Sequence, residues 1–281
     1  MRRALLLALS IVLLSDAFAQ SPQYSRADSL RVCQLLNEAG DMSAMTNYML
    51  HFARKLTGIP YVGQTLEHNK TEQLVINLRE LDCTTYVETV TALTLCVKNG
   101  RRTFSDYCYY LQQLRYRDGI VSYPTRLHYF TEWILDNANK DLVEEVNEGN
   151  AFTEKQIVKV GFMSSNPEKY PMFADHPDWI RDIAGTERYL NGRVFRYIPK
   201  GRVTNTQTLR QSVRDGDIIA IVTNKQGLDI SHVGIAVWHD DGLHLLNASS
   251  IHKKTIEEPM TMKTYMGRHP SQLGIRVVRL K

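Results

Sequence analysis

A chain of 281 residues, 43% hydrophobic and 23% charged with a net charge of +4, has the apolar material for a sizeable core and no strong electrostatic bias. Its basic residues fall in scattered pairs such as Arg101-Arg102 and Lys253-Lys254 rather than in a stripe, which argues against nucleic acid as a partner. Four cysteines (33, 83, 96 and 108) are too few for a disulfide-stapled scaffold, and the nine histidines show no H-E-x-x-H or other ligand spacing, so neither a metal nor an organic cofactor is expected.

In chain order, Arg2 and Arg3 precede the apolar run Ala4 to Leu14, and Ala17-Phe18-Ala19 offers a small-x-small cleavage site, so residues 1–19 read as a secretory signal. That run is shorter than the roughly 20 apolar residues a membrane-spanning helix needs, and no later stretch reaches this length. Cleavage leaves 281 − 19 = 262 residues, expected as a soluble, exported protein with the periplasm as its location. Residues 20–281 read as one domain. Its parts are N-terminal helices (20–57), a nucleophile segment (58–99), an insertion (100–205) and a strand-rich end (206–281).

Apolar residues spaced three to four apart predict two helices, Ser29 to Leu36 with a stop at Gly40 and Ser43 to Leu56 with a stop at Gly58. Ile59-Pro60-Tyr61-Val62-Gly63 and "QLVINL" (73–78) read as extended. Asp82 is a good N-cap for a helix from Cys83 to about Val97, with positions 83, 87, 90, 94 and 97 forming its buried stripe. "FSDYCYYLQQLRYRDG" and "YPTRLHYFTEWILDN" read as helices, "YCYYLQQLRY" as a packing stripe, and "KDLVEEVNEG" as a solvated helix face. Toward the C-terminus, "DGDIIAIVT", "SHVGIAVW" and "LHLLNASS" predict antiparallel strands, and a helical first half with a strand-rich end predicts an α+β fold.

The chemistry centres on Cys83. A helix N-terminus lowers a thiol's pKa and offers amide hydrogens to an oxyanion, and a neighbouring histidine would supply the base. His232 opens the strand "SHVGIAV", and turning it toward the helix puts the small residues Gly234 and Ala236 on the same side. Asn247, on the next strand across "HDDG", is placed to orient the ring's far nitrogen. Taken singly, a cysteine at a helix start is more often packing than nucleophile, and Cys33, Cys96 and Cys108 read as core. With one thiol kept for chemistry, three cysteines allow at most one intramolecular disulfide.

The ordered set "IPYVGQ", "LDCTTYVE", "DGDIIAI", "SHVGIAV" and "LLNASS" resembles the NlpC-type cell-wall cysteine hydrolases. The resemblance implies a papain-like fold in which the catalytic helix packs on an antiparallel sheet, with a helical N-terminal layer and a large insertion. It implies Cys83 as nucleophile, His232 as base and Asn247 as the third polar group, with Tyr61 beside the nucleophile as oxyanion support and Asp82 touching substrate. Thr84-Thr85 in place of Ser-Gly, Gln64 in place of a glycine, and a Cys-to-His interval of 232 − 83 = 149 residues depart from the common pattern. "NLRELDCTTYVE", "LRYRDG", "RLHYFTEWI" and "LDISHVGIA" together resemble an N-acetylmuramoyl-L-alanine amidase-like branch. Within that branch Thr84, Arg126, His128, Tyr129 and Ser231 are substrate-binding candidates. For Arg126, His128 and Tyr129 a plain packed or surface helix face is the competing reading.

The expected activity is cleavage of the bond between the muramyl lactyl group and L-alanine in peptidoglycan or muropeptides, through an acyl-enzyme. Rival readings are cleavage between γ-D-glutamate and the diamino acid, acyl transfer on the same triad, a non-catalytic wall-binding protein, and a zinc amidase.

Overall fold

The computed structural model describes residues 21–281 apart from Asp41 and Ala44, so the expected signal lies outside the described residues. Helices α1 (Arg26–Gly40) and α2 (Tyr48–Lys55) come first, α2 starting at Asn47, whose side chain accepts from the Leu50 amide at 3.1 Å. An extended stretch leads to α3 (Cys83–Lys98), followed by α4 (Phe104–Arg115) and α5 (Phe130–Asn139). Next come β1 (Val143–Val146), β2 (Glu154–Ile157), α6 (Phe162–Ser165), α7 (Pro171–Asp175), α8 (Trp179–Leu190) and β3 (Val194–Pro199). The chain closes with α9 (Gln207–Ser212), β4 (Ile218–Thr223), β5 (Ile230–Trp238), β6 (Leu243–Ser249), β7 (Lys254–Glu257), α10 (Met262–Gly267) and β8 (Gln272–Leu280).

The strands form one antiparallel sheet in the order β2-β3-β8-β4-β5-β6-β7, with β1 also paired to β8. Every residue of β4 and β6 is buried, as expected of strands covered on both faces. One face packs on α1 to α5, and the other holds a second core with Leu209 of α9 and Met262, Tyr265 and Met266 of α10. This mixed α/β architecture with an antiparallel sheet agrees with the α+β expectation.

Helix α3 differs from the amphipathic stripe read in the sequence. It is buried almost all round, because α1, α2, α4, β5 and β6 enclose it. Its polar groups are satisfied internally: Thr91 and Thr94 donate to the carbonyls of Val87 and Val90 at 2.7 and 2.8 Å, and Arg115 reaches Glu88 at 2.7 Å. Burying Val87 and Val90 completely contributes on the order of 1.5–3 kcal/mol each and fixes the helix in position.

Two other expectations are corrected. "KDLVEEVNEG" is not a helix face; it contains strand β1, whose Glu145 receives the buried Arg276 guanidinium at 2.5 Å. On β5, Val233, Ile235 and Val237 face the α3 side, while Ala236 packs in the opposite core, so the face carrying His232 and Gly234 is turned away from α3's core. Gly234 serves strand packing instead, since a Cβ there would lie 2.7 Å from both the Leu245 side chain and the Leu246 carbonyl oxygen.

Candidate active site

The site begins where α3 begins. Asp82 accepts from the Thr85 amide at 2.8 Å, and the Asp82 amide donates to Thr85 Oγ1 at 2.9 Å, a reciprocal cap worth about 1 kcal/mol. This gives Thr85 a structural reason to occupy its position. Cys83 follows as the first helical residue, partly buried against the core.

Tyr61 is brought to the same place by backbone pairing. Its amide donates to Lys253 O at 3.0 Å, and Leu81 N and Val62 N exchange bonds with Pro60 O and Leu81 O at 3.0 and 3.2 Å. The extended reading of 59–63 holds, with bridges to both Leu81 and Lys254. Gln64, where the sequence resemblance expected a glycine, sits at φ +61°, the left-handed conformation that glycine adopts without strain.

From the sheet, β5 and β6 pair across "HDDG" in the expected register, Trp238 opposite Leu243. His232 Nε2–H donates to Asn247 Oδ1 at 3.1 Å, and Asn247 Nδ2 donates to Leu245 O at 3.3 Å. The buried Asn247 therefore fixes the ring and its tautomer, leaving the Nδ1 lone pair as a proton acceptor. His244, three residues before Asn247 in "LHLLN", contrasts with His232. Both of its nitrogens are engaged, by Glu258 O at 2.8 Å and Asp241 at 2.9 Å.

Burial pushes the Cys83 thiol up to about 12 and the Asp82 carboxylate adds to the rise, opposed by the Val233 amide and by the Thr84 hydroxyl and amide. Desolvation, the largest of these influences, works against the ionisation expected from the helix end. Burial likewise lowers His232 below the ordinary 6.5, against the Asn247 bond that raises it. Burial thus disfavours the charged form of both groups. Tyr61 is raised to about 12 by burial, then by Cys83 and Asp82, and remains a phenol donor.

Among the other sequence candidates, Ser231 donates to Ile221 O at 3.3 Å beside a β-bulge. Arg126 is buried and bonded to Glu67, to Glu72 at 3.4 Å and to Leu66 O at 3.2 Å. His128 Nε2 bonds Tyr123 O at 2.8 Å, and Tyr129 donates to Glu187 at 2.7 Å. Arg126 thus ties the loop after Tyr61 to the 116–130 stretch, His128 bonds within that stretch, and Tyr129 ties it to α8. A cavity of about 710 Å³ beside α8 is lined by Arg117, Glu132 and Arg181 and by none of Cys83, His232, Asn247 or Tyr61.

Sequence reasoning missed Tyr265 and His269. The Tyr265 ring lies 6.4 Å from that of His232 and 4.6 Å from that of His269. Nothing in "MTMKTYMGRHP" signals that α10 folds back over β6. The Gly-Asp of "DGDIIAI" proves structural: Asp217 takes both Arg279 Nε and Nη2, at 2.8 and 2.7 Å, clamping β4 to β8. All four cysteines are free, Cys96 and Cys108 buried and Cys33 partly so. No cluster of three or more metal-ligating side chains occurs among the described residues. No helix among them is long and apolar enough to cross a membrane.

A family model described as N-acetylmuramoyl-L-alanine amidase-like (AmiA-like) matches residues 51–275. An N-acetylmuramoyl-L-alanine amidase from Bacteroides uniformis is 36% identical with a TM-score of 0.78, covering 83% of this chain and 97% of its own. A Bacteroides fragilis structure presented as a candidate xylanase is 37% identical with a TM-score of 0.75, covering 81% and 99%. A Legionella pneumophila protein of family DUF1460 shares the fold at 18% identity and a TM-score of 0.71, covering 90% and 94%. No curated protein matches. The match over most of its length and the identity to the Bacteroides uniformis amidase place this chain in the N-acetylmuramoyl-L-alanine amidase-like family.

Proposed function

We propose that the protein is an exported cysteine amidase of the NlpC-type, papain-like class, hydrolysing the amide between the muramyl lactyl group and L-alanine of peptidoglycan or muropeptides. The observation that carries the cysteine mechanism is the His232–Asn247 bond, which leaves Nδ1 free on the strand whose next amide, Val233, opposes the rise in the Cys83 thiol's pKa.

In this reading His232 Nδ1 takes the Cys83 proton as sulfur bonds to the lactyl carbonyl carbon, and the imidazolium returns that proton to the L-alanine nitrogen as the C–N bond breaks. A water deprotonated by His232 then attacks the thioester. The C–S bond breaks, the lactyl group leaves as its carboxylic acid, and His232 returns the proton to sulfur. The Thr84 amide and the Tyr61 hydroxyl are the candidate donors to the oxyanion. Asp82 is engaged mainly by the helix cap. Arg126, His128 and Tyr129 act as supports of the cleft wall rather than as substrate contacts, and residues 20–281 function as one domain.

A xylanase reading requires two carboxyl groups flanking a glycosidic bond. Around Cys83 the adjacent carboxylate is Asp82, already committed to the cap, so the thiol, imidazole and amide set favours acyl chemistry. Turnover of a defined muropeptide, compared with Cys83→Ala, tests the proposal. A variant that keeps full activity rules out the nucleophile.

A further inference from the structure

Two cavities of about 690 and 560 Å³ adjoin one another, sharing Ile157, Lys159, Gln226 and Gly227, and together make a groove between β2 and the β4–β5 connection. Three lysines line it, Lys155, Lys159 and Lys225, and no aspartate or glutamate does. All three are exposed, and among the described residues none is within ion-pair distance of a carboxylate. Unpaired exposed lysines such as Lys70 and Lys263 occur elsewhere; what sets these three apart is that they line one groove that no carboxylate lines. A row of unneutralised ammonium groups in a concave, carboxylate-free channel favours an anionic ligand.

The groove wall is tied down. The amides of Gly161 and Phe162 both donate to Gly227 O at 3.2 Å, Val160 bridges Gly227, and the buried Gln156 donates to Asp229 O at 2.7 Å. It also lies at the catalytic end of the sheet. Val222, in its wall, pairs with Ile230, and the preceding residue Ile221 pairs with His232. Leu228, also in the wall, is four residues before His232, so the two lie no more than about 13 Å apart at about 3.3 Å per fully extended residue. A four-residue peptide leaving the scissile amide spans about the same length. The peptidoglycan stem carries carboxylates on D-glutamate, the diamino acid and the terminal D-alanine, three charges for three lysines.

We propose that this lysine groove is the subsite for the stem peptide on the leaving-group side, its ammonium groups holding the peptide carboxylates while the reacting amide lies at Cys83. The inference rests on the amidase reading for the identity of the ligand.

The test separates the two by using the free stem tetrapeptide, which binds without being turned over. Calorimetric titration is made with the wild type and with the Lys155→Gln, Lys159→Gln, Lys225→Gln triple variant, whose exposed substitutions leave the thermal midpoint unchanged. The groove predicts a loss of about tenfold in affinity, the sum of three exposed charge contacts. It also predicts the same loss for a carboxyl-amidated peptide on the wild type, with no further loss when both changes are combined. In muropeptide kinetics KM rises by a similar factor while kcat stays within about twofold. Equal affinity of wild type and triple variant, no binding of the peptide to the wild type, or equal binding of polyglutamate and stem peptide each overturns the proposal. Lysine-dependent peptide binding without muropeptide turnover would instead keep the groove and reject the amidase chemistry.

Discussion

The strand pair carrying His232 and the loop clasp around Arg126 use similar side chains to opposite ends. Around Arg126, the guanidinium holds Glu67, Glu72 and the Leu66 carbonyl and lies 4.7 Å over the Tyr123 ring, and Tyr116 adds a 2.6 Å bond to Glu72 Oε1. On β5 and β6, Asn247 engages one nitrogen of His232 and leaves the other free. The difference separates structure from chemistry. A polar group engaged on several sides by the protein holds the fold together, and one left with a directed, unfilled valence, as His232 Nδ1 is, remains available to accept a proton.

Cys83→Ala breaks this comparison most severely. It should cut turnover by roughly 10⁴-fold or more, while circular dichroism shows an unchanged fold and thermal melting a midpoint near wild type, because the thiol is only partly buried. Arg126→Ala should do the converse. Removing the guanidinium from the buried Glu72 and the partly buried Glu67 costs on the order of 3–5 kcal/mol in denaturant titration, yet the folded fraction retains kcat. A full kcat loss with normal stability at Arg126 would return it to the substrate contacts.

The pH profile sharpens the contrast at His232. Its folded pKa lies below 6.5, so the neutral base persists into mildly acidic solution, and kcat/KM should reach half its maximum below that value. The linkage has the matching sign. The unfolded chain takes up the proton first as pH falls through about 6.5, so the stability that depends on a neutral His232 is complete above that pH and is lost toward the folded pKa. Asn247→Ala removes the bond that raises this pKa and should move the kinetic midpoint further toward acid. At the alkaline end, a thiol near 12 predicts slow alkylation by iodoacetamide at pH 8 relative to a free cysteine. The smallest effect belongs to Gln64→Gly. Relief of the left-handed backbone at φ +61° should offset the entropic cost of glycine and leave the melting midpoint unchanged or slightly raised.

Much of the framework of the candidate site was legible because its residues follow local rules: a cap before a helix for Asp82 and Cys83, and a two-residue period with a tight turn for the strands of His232 and Asn247. What escaped depends on non-local packing. The all-round burial of α3 arises from neighbours far away in sequence, and the side of β5 that His232 occupies is set by which face the helices choose. The "VEEV" of β1 becomes a strand through pairing with β8, some 130 residues later. The thiol's raised pKa came from desolvation, which no local motif reports. Tyr265 and His269 reach the site through the return of α10, for which the sequence carries no signal.

The most direct test of the central claim is mass analysis of the products from one defined muropeptide, with wild type and Cys83→Ala in parallel. A muramyl sugar acid together with the intact stem peptide, formed by the wild type alone, is the predicted result. A shortened glycopeptide, or the same products from Cys83→Ala, would contradict it.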